Sequence, residues 1–315
     1  MTATRIPTWT RRHLLDVDDL SRAELDAVLD LGVELRARRA AGELSDTLRG
    51  TAVGLAFYEP STRTRVSFEL AARELGATVT DLSVAGSSVA KGESLVDTLR
   101  TLERTGVRMI VLRHAASGAP YLAARSLERA AILNAGDGTH AHPTQALLDA
   151  LTLREALGSL EGARIVVVGD AVHSRVARSD LHALVRLGAS VVLSGPPAWV
   201  NPFAEWPGLS VVTDLDAGLA GADAVMALRV QRERAAGGGV PSITEYVARW
   251  GLTAERLDRA CPGAWLMHPG PANEGVEITA ELSGDPRSLI GRQVENGVPI
   301  RMAVLSLLTE EMDRW

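Results

Sequence analysis

A repeating alternation limits most strongly how this chain can fold. Short runs of Val, Ile, Leu and Ala alternate with amphipathic stretches from residue 51 onward. "TAVGLAFY" (51–58), "TVTDL" (78–82), "VRMIVLRH" (107–114) and "AAILNAG" (130–136) read as strands. Between and after them, residues 61–76, "ESLVDTLRTLERTG" (93–106), "PYLAARSLERA" (120–130) and "HPTQALLDALTLREALG" (142–158) read as helices. Strands that are apolar on both faces and separated by helices form βαβ units on a parallel sheet.

The rhythm then restarts. "ARIVVVGDA" (163–171), "SVVLSGP" (190–196), "LSVVTDL" (209–215), "ADAVMALRV" (222–230) and "AWLMHPG" (264–270) read as strands, with a helix over "SRVARSDLHALVRLGA" (174–189). Residues 196–208 and 235–242 read as loops, and the segment from 292 onward as a closing helix. The expected fold is α/β, with two parallel-sheet domains of similar size joined by helices. The first spans 1–147 plus the C-terminal helix 292–315, which packs back on it, and the second spans 148–291. "GSLEGA" (158–163) reads as the seam, and the helix at 142–158 as the connector.

Composition excludes several classes. With 46% hydrophobic and 23% charged residues the chain can bury real cores. No apolar run reaches the ~18 residues of a membrane helix, and "MTATRIPTWTRRHLLDVDD" has no apolar core of a secretory signal. The single cysteine, Cys261, leaves no intrachain disulfide and suits a reducing compartment, so a cytoplasmic protein is expected. A formal net charge of −6 argues against nucleic acid as a partner. The 33 basic residues comprise 32 arginines and one lysine, Lys91. A lone lysine marks a place that needs a compact, flexible ammonium, or it is a residue left by chance.

The stretch "FYEPSTRTRVSFELAARELG" (57–76) carries the first chemical signal. A helix start leaves four backbone N–H groups without intrahelical partners, and the helix dipole adds positive charge there. At the carboxyl end of a parallel strand this makes a phosphate site. Ser61, Thr62 and Thr64 add hydroxyl donors, and Arg63 adds a fork suited to phosphate. An N-cap needs one such residue, not a run of them. Arg113 ends a strand, where such folds bind ligands, though a strand-end arginine is as often a solvated charge. His142 and Gln145 open a helix and share a face. Arg229 and Gln231 alternate along an extended segment. "VVVGDAVHS" lacks the G-x-G-x-x-G of a dinucleotide loop.

The 57–76 stretch resembles the carbamoyl-phosphate motif of the aspartate and ornithine carbamoyltransferase family. "VLRH" (111–114), "HPTQALLD" (142–149), "GDAVHSRVARS" (169–179), "RVQRER" (229–234) and "HPGPANEGVEI" (268–278) follow in the family's order, so the resemblance spans nearly the whole chain. "HPTQALLD", "RVQ" and "MHPGP" are similar to the family's aspartate-specific branch. An ornithine enzyme would carry cysteine beside the last motif's histidine, where this chain has His268–Pro269. Two departures stand out: Val172 replaces a frequent lysine after "GD", and the last motif reads Pro-Gly-Pro.

The resemblance implies attack of an amine on carbamoyl phosphate, with no metal, cofactor or covalent intermediate. It assigns domain 1–147 to carbamoyl phosphate and 148–291 to aspartate. Ser61, Thr62, Arg63 and Thr64 would clamp the phosphate; Thr64, Arg113 and His142 would polarise the carbonyl oxygen; Gln145 would bind the carbamoyl NH2. His268, Pro269 and Gly270 would line the cleft through their backbone. Arg175, Arg229 and Gln231 would hold the two carboxylates of L-aspartate. Ser87 and Lys91 would act in a neighbouring subunit's site within a homotrimer, Lys91 touching both substrates. Glu59 would bridge to Arg175 and Arg234, favouring a closed state. The expected product is N-carbamoyl-L-aspartate, in pyrimidine synthesis. The alternatives are a carbamoyltransferase for another amine such as ornithine, or an inactive scaffold relative. The sequence leaves open a regulatory chain or a dihydroorotase as partner.

Overall fold

The computed structural model describes residues 9–43, 45–82, 92–230 and 242–312. Ser87, Lys91, Gln231 and Arg234, and nearly all of the 235–242 loop, lie outside the described residues. The chain divides into two compact units, Met1–Leu148 with Glu295–Trp315, and Asp149–Val294.

In unit 1 the strands are β1 (Ala52–Phe57), β2 (Thr78–Leu82), β3 (Val107–His114) and β4 (Ala131–Asp137). Its helices are α1 (Arg22–Ala40), α2 (Thr62–Glu74), α3 (Leu95–Arg104) and α4 (Ala119–Ser126), and α5 (Pro143–Leu157) begins there. The sheet is parallel throughout, in the order β2-β1-β3-β4. β4 is buried along its whole length and β1 at Val53–Ala56, as expected of a sheet covered on both faces. Ala56, Ile110, Leu112 and Ile132 pack with Leu99 of α3 and Ala123 of α4.

Unit 2 holds β5 (Arg164–Val168), β6 (Ser190–Ser194), β7 (Leu209–Val212), β8 (Ala224–Ala227) and β9 (Trp265–Met267). They form a second parallel sheet, in the order β7-β6-β5-β8-β9. Its helices include α6 (Arg175–Arg186), α7 (Pro197–Val200), α8 (Leu215–Leu219), α9 (Ile243–Trp250), α10 (Ala254–Ala260) and α11 (Ala280–Ser283). The last helix, α12 (Ile290–Met312), begins in unit 2 and continues in unit 1. In unit 1 its Asn296 accepts from Arg36 at 2.7 Å, and its Arg301 lies 5.0 Å over the Phe68 ring. No described helix is long and apolar enough to cross a membrane.

Both sheets share one topological feature. From β1 the chain winds outward to β2, then resumes on the other side of β1 with β3 and β4. From β5 it winds outward to β6 and β7, then resumes on the other side with β8 and β9. The reversals open crevices at the carboxyl ends of β1/β3 and of β5/β8, the places where such sheets bind ligands.

One sequence expectation needs correction. Residues 196–208 are not all loop: Pro196 and Pro197 lead into α7 and a 3-10 turn, Asn201–Phe203, which bury Trp199, Val200 and Phe203. The two units divide inside α5, between Leu148 and Asp149. Helix α1 was not anticipated, although Ser21 and Glu24 form a full capping box at its start.

One glycine fixes the β5 crevice. Gly169 follows β5 with φ +122°, and an added Cβ would lie 2.9 Å from the Tyr246 hydroxyl and 3.3 Å from the Leu228 carbonyl. Gly169→Ala therefore adds both a clash and a backbone conformation that costs roughly 1–3 kcal/mol. Denaturant unfolding should show the loss. Gly169→Ala combined with Tyr246→Phe should recover only part of it, because the backbone strain stays. Full recovery would mean that the conformation at Gly169 carries no cost.

Candidate active site

Unit 1 assembles its candidate residues from the ends of neighbouring strands. The β1–α2 connection supplies Glu59 and Ser61–Thr64, β3 supplies Arg113 near its end, and the β4–α5 turn supplies His142. Phe57 and Arg113 are register partners, so the start of α2 and the Arg113 position flank the crevice.

The start of α2 is built unlike an ordinary cap. Ser61 holds the N-cap position in extended conformation (φ −163°, ψ 100°), but its side chain makes no capping bond. Its hydroxyl donates to Thr64 Oγ1 at 3.0 Å. The first turn contains no acidic residue. Thr64 is buried, Ser61 half-buried, and Thr62 and Arg63 exposed. Arg65, next in the run, ion-pairs with Asp81 on β2.

Arg113 is buried to 8% exposure. One terminal nitrogen donates to the Ala135 carbonyl at 3.1 Å and the other to Glu59 Oε1 at 2.5 Å. A guanidinium has five N–H groups in one plane, and these two bonds fix that plane. Glu59 thus engages Arg113 inside unit 1.

His142 caps α5 through its backbone. Its carbonyl accepts from the Gln145 amide at 3.0 Å and the Ala146 amide at 3.3 Å, with Pro143 at the first helical position. His142 is buried and Gln145 half-buried. The turn before them is held by a carboxylate that sequence reading missed. Buried Asp137 accepts from the Gly118 amide (2.6 Å), Asn134 Nδ2 (2.8 Å) and the Ala141 amide (3.1 Å). His140 places Nδ1 3.2 Å from Asp137 and Nε2 3.5 Å from Asp16. The bond to Asp137 holds the His140 imidazole above its ordinary range. Burial pushes Asp16 up to about 6.

Unit 2 repeats the plan at its own crevice. Ser174 caps α6 by accepting from the Ala177 amide at 3.1 Å, and Arg175, buried to 8% exposure, is the first helical residue. Buried Asp170 accepts from the His173 amide at 3.1 Å, with His173 Nδ1 2.9 Å away. Arg229 is half-buried just beyond β8. The His268 amide donates to Gln293 Oε1 at 3.0 Å, and His268 Nδ1 accepts from the Gly270 amide at 2.8 Å. Pro269 and Gly270 are half-buried, and Gly270–Pro271 is cis. Gln293 also donates to Asp149 at 2.7 Å. Burial and the neighbouring Asp149 carboxylate raise Asp180 far above the usual carboxylate range.

Chemically, the first crevice offers amides, hydroxyls and a fixed guanidinium to an anion. The second offers Arg175 and Arg229 at adjoining strand ends.

Comparison with known proteins gives a family to both units. The family model described as the aspartate/ornithine carbamoyltransferase carbamoyl-P binding domain matches residues 12–155. That of the Asp/Orn binding domain matches residues 161–308. An aspartate carbamoyltransferase catalytic subunit from Roseiflexus sp. (strain RS-1) is 49% identical over 307 residues, 96% of each chain. An aspartate transcarbamoylase structure from Trypanosoma cruzi in complex with N-(phosphonacetyl)-L-aspartic acid superimposes with a TM-score of 0.84 at 32% identity, covering 93% of this chain and 94% of that one. The same enzyme in complex with carbamoyl phosphate and aspartate gives 0.83 at 32% identity, with the same coverage.

The burial of Asp16 predicts a pH signature. A carboxyl raised from 3.8 to about 6 in the native state favours folding while protonated. Stability is therefore lost as pH rises from the unfolded value through the folded one, by at most about 3 kcal/mol. Asp16→Asn mimics the protonated acid. Its melting temperature should match the parent's near pH 4 and exceed it increasingly up to pH 7. A gap that stays constant with pH would refute this account of Asp16.

Proposed function

The chain belongs to the aspartate/ornithine carbamoyltransferase family, and from that we infer that it transfers the carbamoyl group of carbamoyl phosphate to the amino group of L-aspartate, releasing N-carbamoyl-L-aspartate and phosphate. One observation carries the reading. Each sheet presents fixed positive charge at its own reversal point: an acid-free helix start with Arg113 in unit 1, and Arg175 with Arg229 in unit 2. The reaction joins a dianionic acyl phosphate to a dicarboxylate, and it needs both. Ornithine, a cation, offers only one carboxylate to the second set.

In this reading the amides opening α2, with Ser61, Thr62, Arg63 and Thr64, hold the phosphate. Thr64, Arg113 and His142 donate to the carbonyl oxygen, where negative charge grows as the amine attacks. The bonds that fix the Arg113 plane support this role, because a donor already oriented needs no reorganisation during reaction. Gln145 accepts from the carbamoyl NH2, and, on the family resemblance, His268, Pro269 and Gly270 line the cleft through their backbone. Arg175, Arg229 and Gln231 hold the two aspartate carboxylates. The new N–C bond forms, the C–O bond to phosphate breaks, and the departing phosphate takes the amine's proton. Orientation supplies much of the acceleration.

Ser87 and Lys91 complete the site from a neighbouring copy in a homotrimer. Support comes from their Gly/Ser-rich setting and from Lys91 being the lone lysine. Glu59 and Arg234 are assigned to domain closure on the family resemblance. The cytoplasm is the proposed compartment, in keeping with a single cysteine. Carbamoyl-aspartate is a pyrimidine-ring precursor, which places the reaction in that synthesis.

The test uses two inactive parents. Colorimetric assay of carbamoyl-aspartate should show Lys91→Gln and Arg63→Ala each reduced by about 10²-fold or more. Ornithine should give no product. Dissociating and reassociating an equal mixture should restore about a quarter of native activity, since in a closed ring that fraction of sites carries neither lesion. No recovery would refute shared sites; no carbamoyl-aspartate from the native chain would refute the activity.

A further inference from the structure

Glu277 is 1% exposed and belongs to none of the groups assigned to substrate above. Its Oε1 accepts from the Val230 amide at 2.6 Å and from Asn273 Nδ2 at 2.6 Å. Its Oε2 accepts from the Asn273 amide at 2.8 Å. Asn273 Nδ2 also reaches the Val230 carbonyl at 3.4 Å. One carboxylate therefore ties the segment leaving β8 to the loop that follows Gly270.

The carboxylate is itself anchored. The Glu277 carbonyl accepts from the Leu252 amide at 2.9 Å, and Leu252 bridges Ile278 in parallel fashion. The Val276 amide donates to Asn273 at 3.0 Å and the Gly275 amide to Ile278 at 2.8 Å, closing a tight turn that points the carboxylate back at Asn273. Among the described residues its bonded partners are N–H groups of uncharged residues, and no arginine or histidine pairs with it. Burying a carboxylate is an expensive way to fill space, and an apolar residue of similar volume packs more favourably. Two acceptor oxygens at a fixed spacing do what an apolar residue cannot: they set the register of two backbone segments against each other.

Val230 directly follows Arg229. We propose that Glu277 is a positioning residue for aspartate, fixing through the Val230 amide the backbone from which Arg229 reaches a substrate carboxylate. The proposal rests on the reading that Arg229 binds that carboxylate. Glu277 acts through Arg229 and touches no substrate.

The experiment measures full-length Glu277→Gln, Arg229→Ala and the double variant. Aspartate is varied at saturating carbamoyl phosphate, and carbamoyl phosphate alone is titrated by calorimetry. Glu277→Gln keeps one acceptor and turns an amide N–H toward another donor. It should raise KM for aspartate about tenfold, change kcat by less than about threefold and leave carbamoyl phosphate affinity unchanged. The double variant should be no worse than Arg229→Ala, because the two residues act as one unit. An unchanged KM in Glu277→Gln, equal losses for both substrates, or additive effects in the double variant would overturn the proposal. If Arg229→Ala itself leaves KM for aspartate unchanged, the underlying reading of Arg229 fails instead. Should Glu277→Gln not fold, Asn273→Ala removes one donor and keeps the carboxylate. It should raise KM for aspartate about threefold, and no change there would equally overturn the proposal.

Discussion

The direction in which a parallel sheet winds decides where this protein can do chemistry. The crossover from β1 to β2 carries the chain to one side, and β3 then starts afresh on the other side of β1. Connections leave those two strands in opposite directions, which opens a crevice at the carboxyl edge between them. The same happens between β5 and β8. Into each opening the sequence places a helix start, α2 in one unit and α6 in the other. Backbone amides and the helix dipole then face the crevice, which makes it electropositive before any side chain is added.

Side chains added to such hollows raise the question of how like charges are kept there. Two of the candidates, Arg113 and His142, are held in place by bonds inside unit 1. Glu59 and the Ala135 carbonyl hold Arg113. The carbonyl of His142 accepts the first α5 amides, so the backbone bearing its ring is fixed by the helix itself. Behind that turn sits Asp137, receiving three donors, with His140 set between Asp137 and Asp16. Asp137 and Asp16 are themselves buried, and burial lifts Asp16 to about 6. Stability is sacrificed locally to hold geometry, as expected where preorganised charge does the catalysis.

How much of this the sequence disclosed depends on the range of the forces involved. β3 was legible to the residue at 107–114, because a buried parallel strand is a continuous apolar run. The start of α2 beside Pro60 was legible for the same local reason. The caps Ser21, Ser242 and Thr253 also mark the starts of α1, α9 and α10 in the sequence. The supports have no such local mark. Gln293 meets Asp149 across 144 positions, and Glu277 meets Val230 across 47. No periodicity or cap rule links residues so far apart; only the closed fold brings them together. Thr64, Arg113, His142, Arg175 and Arg229 could be singled out because motif context marked them, whereas Asp137, Asp149 and Glu277 look, in one sequence, like any other acid.

The absence of acid from the first turn of α2 sharpens the physical argument. Asp or Glu there would complement the dipole and stabilise the helix by about 0.3–1 kcal/mol. The chain follows that rule elsewhere, with Glu24 in α1, Asp97 in α3 and Glu245 in α9. It breaks the rule at α2 and again at α6, where the first turn also lacks an acid and Arg175 stands at the first position. Helices α4, α5, α7 and α12 lack an acid there as well, but α2 and α6 are the two that follow the central strands β1 and β5. An internal carboxylate at either place would compete with an incoming phosphate or carboxylate for the same amides, so leaving it out keeps the dipole's stabilisation for the ligand to supply.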